Sequence, residues 1–357
     1  MKTAILGLPQ VGKTSLFSIL TGSVHRAHIG GTQAQVGIAK VPDTRLNALA
    51  EVFEPDKVTH AAIEYADMPP TSRESLAEPS YVGSLRSVDA FAHVLRAFEN
   101  DTVMHTESSI NPERDEENLD LELIINDLAV IEKRLERVKK DMGRIKNSEL
   151  VFEQDILLKA KEFLESERPL REMELDDTEA KRLRGFQFLS EKPMLLVLNL
   201  GETQTTTLHA TEQDYRRRRI KERRNMEVTA ICGSVESEIA ALEPSEAQEY
   251  IADYGFSEPG LDRLIQASYS LLGLMSFLTA GEKEVRAWTI PKNSTAVKAA
   301  RAIHSDFEKK FIRAEAINWE KLVEHGSYAE ARKHGELRLE GKTYIVEDGD
   351  VLVIRHG

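Results

Sequence analysis

The 357-residue chain has one cysteine, Cys232, two tryptophans and a deficit of positive charge: 47 Lys and Arg face 60 Asp and Glu, for a formal net charge of −13. A single cysteine excludes an internal disulfide framework, offers no zinc cluster and fits a reducing cytoplasm. The ten histidines are scattered without ligand spacing. The negative balance works against nonspecific binding to free nucleic acid, because neutralising phosphates needs a positive footprint. Long apolar runs are missing as well. The longest, Met194 to Leu198, falls far short of the ~20 residues that span a bilayer, and the N-terminus enters a core strand directly. These absences predict a folded, cytoplasmic protein without a membrane segment, and its length with 41% apolar residues predicts two or three domains.

What is present begins at residue 7. Gly7-Leu-Pro-Gln-Val-Gly12-Lys13-Thr14 is a complete G-x-x-x-x-G-K-[ST] phosphate-binding loop, preceded by an apolar strand, Thr3 to Leu6, and followed by Leu16, Phe17, Ile19 and Leu20 at helical spacing. Glycines at both ends let the backbone curl so that successive N–H groups converge on phosphates at a helix N-terminus. The expected nucleotide contacts here are Gly7, Pro9, Gln10, Val11, Gly12, Lys13, Thr14 and Ser15. Lys13 reaches the β/γ oxygens as the catalytic cation, and the Thr14 hydroxyl sits where Mg²⁺ would bridge the terminal phosphates.

Short apolar runs near Ala61 to Ala66 and Ala90 to Phe98 alternate with helical periodicity, which predicts a parallel sheet with crossover helices. From Leu121 the apolar positions run Ile124, Leu128, Ile131, Leu135, Val138, Met142 and Ile145, in alternating steps of three and four, as in a coiled-coil seam. Leu150 to Glu165 carries a second helical pattern after a Gly143 to Ser148 turn, so an antiparallel helical hairpin is expected, as a spacer or an interaction arm for a protein partner. Met194 to Asn199 and Glu227 to Cys232 then restore strand patterns. Beyond Leu274, a strand at Glu284 to Ile290, a helix at Ala296 to Phe311 and two strands within Lys342 to Ile354 predict a compact α+β module. The expected domains are 1–112 with 192–273, 113–191, and 274–357. Arg216 to Arg224 packs seven cations into nine residues; it reads as a solvated helical face or a local basic patch.

A phosphate loop needs partners. Asp67, ending the strand Ile63 to Asp67, is the candidate for holding Mg²⁺ through water, and Thr32, after Gly30-Gly31, is the candidate γ-phosphate reporter and metal contact. Base recognition belongs at the carboxyl edge of the sheet, after Met194 to Leu198. There the chain reads Asn199-Leu-Gly-Glu202 instead of the Asn-Lys-x-Asp of guanine-specific switches, so the pocket is not built for guanine alone.

Several stretches together resemble the Obg-like ATPase (YchF) family over nearly the whole chain: Gly7 to Thr14, Val41-Pro-Asp43 with Arg45-Leu46, Arg96-Ala-Phe-Glu-Asn-Asp101, Asn199 to Glu202, Phe277 with Thr279-Ala-Gly281, and Glu284 to Pro291 with His304 and Asp306-Phe-Glu308. The resemblance implies an α/β P-loop NTPase of the Ras-like G-domain type, an inserted antiparallel coiled-coil hairpin, and a C-terminal TGS module of α+β, ubiquitin-like form. It also implies ATP bound in preference to or alongside GTP, with Mg²⁺, hydrolysis, and association with the ribosome or ribosomal RNA. By the same carry-over, Leu200 and Glu202, and the backbone at Cys232, Gly233 and Ser234 with nearby Val235-Glu236, lie beside the base.

This chain departs from that pattern after Asp67. The family's Asp-Ile-Ala-Gly-Leu-Val becomes Asp67-Met-Pro69-Pro70-Thr71-Ser72, and proline has no N–H to offer a γ-phosphate. Gln10 replaces the family's asparagine, which removes the basis for a potassium requirement. Two readings follow: a slow ATPase or GTPase using Lys13 and Mg²⁺, or a nucleotide-binding adapter deficient in hydrolysis that works through its hairpin and C-terminal module. A nucleotide kinase would need a lid and acceptor pocket that the chain lacks.

Overall fold

The computed structural model describes residues 1–22, 34–100, 105–107, 109–143, 147–256 and 258–357. In chain order the first half contains β1 (Lys2–Leu6), α1 (Lys13–Thr21), β2 (Gln35–Lys40), α2 (Thr44–Phe53), β3 (Val58–Thr59), β4 (Ala62–Asp67), α3 (Arg73–Ala77), α4 (Pro79–Arg86) and β5 (Ala90–Arg96). Two long helices, α5 (Pro112–Met142) and α6 (Ser148–Glu165), lead to α7 (Asp177–Leu183), β6 (Met194–Asn199), α8 (Leu208–Tyr215), β7 (Met226–Ile231), α9 (Gly233–Ile239), α10 (Pro244–Asp253) and α11 (Gly260–Leu271). The chain ends with β8 (Leu274–Thr279), β9 (Val285–Pro291), α12 (Ala296–Ile303), α13 (Ser305–Lys309), β10 (Phe311–Asn318), α14 (Trp319–His325), α15 (Tyr328–Lys333), β11 (Arg338–Glu340) and β12 (Asp350–His356).

These elements form two units, residues 1–37 with 64–267 and residues 38–63 with 268–357. The first holds the six-stranded order β2-β4-β1-β5-β6-β7, and the run from β4 to β7 is parallel. β5 and β6 are buried along their whole length, so they read as continuous apolar runs rather than alternating ones. This is the α/β P-loop fold. Its ligand edge lies at the strand carboxyl ends, where β1, β5, β6 and β7 each deliver a loop.

α5 starts cleanly because Asn111 caps the Arg114 N–H, Pro112 fills the first turn and Glu113 and Asp115 face the helix dipole. Its first turns send Leu119 and Leu123 into the core under the parallel sheet. Further along, Ile124 and Ile131 meet Ile156, Leu157, Ala160 and Leu164 of α6. Of the expected seam, Ile124, Ile131 and Val138 are buried and Leu128 and Leu135 are partly so. Leu121 is 43% exposed, a correction with a simple cause: the helix changes partner between Leu119 and Ile124, so one heptad frame does not serve both contacts. Ile145 lies outside the described residues.

The second unit has the order β11-β10-β12-β8-β9-β3, with α12 placing Ala296, Ala299 and Ala300 against Phe277, Ile290, Phe311 and Leu352. The segment 38–63 belongs here because β3 extends this sheet beside β9. Two sequence expectations change. The helix expected over Ala296 to Phe311 breaks at His304, which is extended at φ −161 and accepts the Asp306 N–H as a new cap; Phe311 then starts a strand. Within 342–354 there is one strand, β12, since its partners are β10 and β8.

Candidate nucleotide site

The phosphate loop joins β1 to α1. Gly7 has φ +144, and a Cβ there would lie 2.6 Å from the Val94 carbonyl oxygen; Gly12 has φ +99, and a Cβ there would meet Asn199 Nδ2 at 2.6 Å. Both positions therefore require glycine. Lys13 is 6% exposed and donates to the Gly7 and Leu8 carbonyls at 2.9 and 2.8 Å. Burial lowers its pKa to about 8, and the nearby Asp67 carboxylate opposes that shift. Asp67 is fully buried at the end of β4, and Thr14 is half-buried in the first turn of α1. Thr32 lies outside the described residues.

A cleft of about 1140 Å³ opens beside the loop and collects residues from three others. Of the expected contacts it is lined by Gly12, Ser15, Asn199, Leu200, Glu202, Gly233 and Ser234. Gly7, Pro9, Gln10, Val11, Lys13 and Thr14 continue along the loop outside its lining.

Asn199 lines the cleft and is also a strut within it. Its Nδ2 donates to the Val11 carbonyl at 2.9 Å and its Oδ1 accepts from the Gly233 N–H at 3.0 Å. The side chain ties the phosphate loop to the β7–α9 connection, and Leu200, Gly201 and Glu202 continue the cleft wall beyond it. Cys232 is 1% exposed and packs into the sheet core. Glu236 also turns away, accepting the Gly260 and Leu261 N–H groups at 2.8 and 3.3 Å to cap α11. It serves the fold, not the cleft.

The fourth wall is Ala97 to Asn100, which sequence reasoning quoted without a role. Arg96 at the end of β5 is 2% exposed; it donates to the Phe98 and Asn100 carbonyls at 3.2 and 3.4 Å and lies 4.5 Å from the Phe98 ring centroid. A buried arginine thus orders a loop and presents an aromatic ring to the cleft. The tripeptide Arg-x-Phe at a strand end was the only signal for it. Ser237 on α9 and Ala240 just after it also line the cleft and had none.

The arginine run is in part the expected solvated face, with Arg217, Arg218, Lys221 and Arg224 exposed, but it is not a free basic patch. Residues 216–220 form a π-helical turn, and all six arginines of the run are ion-paired. Arg216 engages Glu227 and Glu212, Arg217 and Arg218 share Asp214, and Arg218 also reaches Glu113. Arg219 meets Glu116 and Glu117, Arg223 meets Glu116, Asp120 and Glu172, and Arg224 meets Glu174. Beneath them Arg171, 1% exposed, holds Asp120 at 2.7 Å, and Tyr215 donates to the fully buried Glu116 at 2.6 Å. The root of the hairpin is an internal ionic lock.

Comparison with known proteins agrees with this architecture. The family model YchF-GTPase_C, described as a protein of unknown function (DUF933), matches residues 274–357. The Ribosome-binding ATPase YchF of Bacillus subtilis (strain 168) is 41% identical over 363 residues, covering 99% of both chains. Its namesake in Escherichia coli O157:H7 is 37% identical over 360 residues, covering 98% of both. The solved structure of the Schizosaccharomyces pombe YchF GTPase superposes with a TM-score of 0.84 at 26% identity, covering 99% of this chain and 97% of that one. Matched over 98% or more of its length by relatives 37% and 41% identical, the chain belongs to the YchF family.

Proposed function

We propose that the protein is a slow, Mg²⁺-dependent ATPase of the YchF type that also admits GTP and works at the ribosome in the cytoplasm, with Lys13 as its catalytic cation. The observation that carries this reading is the phosphate loop with buried Lys13 beside Asp67, next to a cleft of about 1140 Å³. Glu202 replaces the aspartate that reads guanine, which supports adenine tolerance. Thr14 and Asp67 offer oxygen donors only, the set a hard divalent cation takes. No group of three His, Cys, Asp or Glu among the described residues is placed to hold a metal by itself, so such an ion would depend on the nucleotide's phosphates. It would supply charge neutralisation between the terminal phosphates, while Lys13 and the loop N–H groups orient them. Relatives named as ribosome-binding support the partner, and the hairpin offers a surface for it. Lys133, Arg137, Lys139 and Lys140 near its tip are exposed and pair with no carboxylate among the described residues, the footprint ribosomal RNA requires. The C-terminal unit is read as the TGS module.

A second reading, an adapter deficient in hydrolysis, is favoured by one feature: Pro70 lacks an N–H and no glutamine follows Asp67 to position water. Titration of ATP and GTP analogues with magnesium, then phosphate release from the natural nucleotides, separates the two. Release above a Lys13→Ala control supports the ATPase; tight binding without release supports the adapter, and absence of binding sinks both.

A further inference from the structure

The segment after Asp67 is fastened to the first glycine of the phosphate loop by contacts that use no phosphate. Thr71 N–H donates to the Gly7 carbonyl at 3.0 Å, and Gly7 N–H donates to Thr71 Oγ1 at 3.4 Å. Thr71 Oγ1 and the Tyr81 hydroxyl are 2.8 Å apart, and Tyr81 donates to the Pro69 carbonyl at 3.3 Å. Tyr81 has one hydroxyl proton; with that proton on Pro69, the Thr71 hydroxyl donates to Tyr81. The chain then runs unbroken from Gly7 through Thr71 and Tyr81 back to Pro69. Thr71 and Tyr81 are each 5% exposed, and burial pushes the tyrosine up to about 12, so it remains a neutral donor. Pro70, between the tethered residues, cannot donate to a γ-phosphate. The Gly7 carbonyl also accepts from Lys13, so one peptide unit anchors both the segment after Asp67 and the catalytic cation.

We propose that Thr71 and Tyr81 are positioning residues that replace the γ-phosphate contact that Pro70 cannot make. They hold residues 68–72 on Gly7 in free, diphosphate-bound and triphosphate-bound protein alike, and through Gly7 they set the approach of Lys13. The proposal rests on nucleotide binding at this loop but makes a separate demand, which hydrogen exchange over residues 68–80 tests. Exchange is followed without nucleotide, with ADP and Mg²⁺, and with a nonhydrolysable ATP analogue and Mg²⁺, with binding measured in the same samples. Protection in the intact protein is expected to agree within about twofold across the three states. Thr71→Val and Tyr81→Phe should each speed exchange about tenfold in all three, the equivalent of one hydrogen bond, and Thr71→Ser should restore it. Analogue affinity should stay within about threefold while phosphate release changes, a split that general destabilisation does not produce. Protection that appears only with the triphosphate analogue overturns the proposal, as does unchanged exchange in both variants with unaltered melting temperature. Failure to bind nucleotide would sink the ATPase and adapter readings, yet the nucleotide-free exchange of the variants would still decide the tether.

Discussion

Between Arg216 and Arg224 seven cations fall within nine residues, and between Lys133 and Lys140 five fall within eight. In the first segment every arginine meets a carboxylate, several from α5 or the turn after α6, and Glu116 and Asp120 are buried by the encounter. In the second only Arg134 has a described partner, Glu153. Similar charge density thus serves two ends. Where acidic residues of another element arrive opposite, the cations become an ionic lock; where the helix runs out into solvent, they remain available to a polyanion. Arginine suits the lock because its planar fork stays charged at any working pH and bonds two carboxylates at once.

The contrast is broken most severely at Arg171. Replacing this buried guanidinium by leucine strips Asp120 of a partner in the interior, and removing one member of a buried pair costs on the order of 3 kcal/mol. Urea unfolding of Arg171→Leu should show that loss; an unchanged midpoint would mean that the lock does not hold the hairpin root.

Titration separates buried Lys13 from the arginines. Burial sets the Lys13 pKa at about 8, and phosphates require its charged form, so affinity for an ATP analogue should be flat below pH 8 and fall above it by up to about tenfold per unit. The stability term has the opposite slope: between 8 and 10.5 the folded chain binds fewer protons here than the unfolded chain, so this group's contribution rises with pH. Calorimetric titration from pH 6.5 to 9.5 checks the first statement, and a pH-independent affinity would remove Lys13 from the phosphate site.

Charge reversal at the tip sharpens the comparison. Lys133→Glu with Arg137→Glu and Lys140→Glu should weaken ribosome cosedimentation by about tenfold and flatten its salt dependence. Melting should barely move, because these side chains are exposed and pair with no carboxylate among the described residues. The smallest effect is expected at the exposed rim of the lock. Arg217→Gln with Arg218→Gln should cost less than about 1 kcal/mol and leave cosedimentation unaltered; a large loss of ribosome binding there would reverse the assignment of the two segments.

Much of the site was legible in order along the chain. The eight-residue phosphate loop carries its own geometry, because only glycine tolerates the backbone at Gly7 and Gly12, and the run from Met194 to Asn199 is apolar enough to declare a buried parallel strand. Asn199 was legible as a site residue but not as a strut, since its two partners, Val11 and Gly233, are remote in sequence. Arg96 and Phe98 stood in a quoted stretch whose role depends on a loop folding back over a strand end.

The amino-acid sequence by itself determined the phosphate loop, the parallel strands and the two long helices, because each rests on local backbone freedom or on a periodicity that burial alone enforces. Tertiary structure alone decided which cations are neutralised, which face of α5 is covered, and where Thr71 and Asn199 direct their hydrogen bonds. Those outcomes turn on partners that lie tens of residues away, and a charge or an amide carries no mark of what will be brought opposite it.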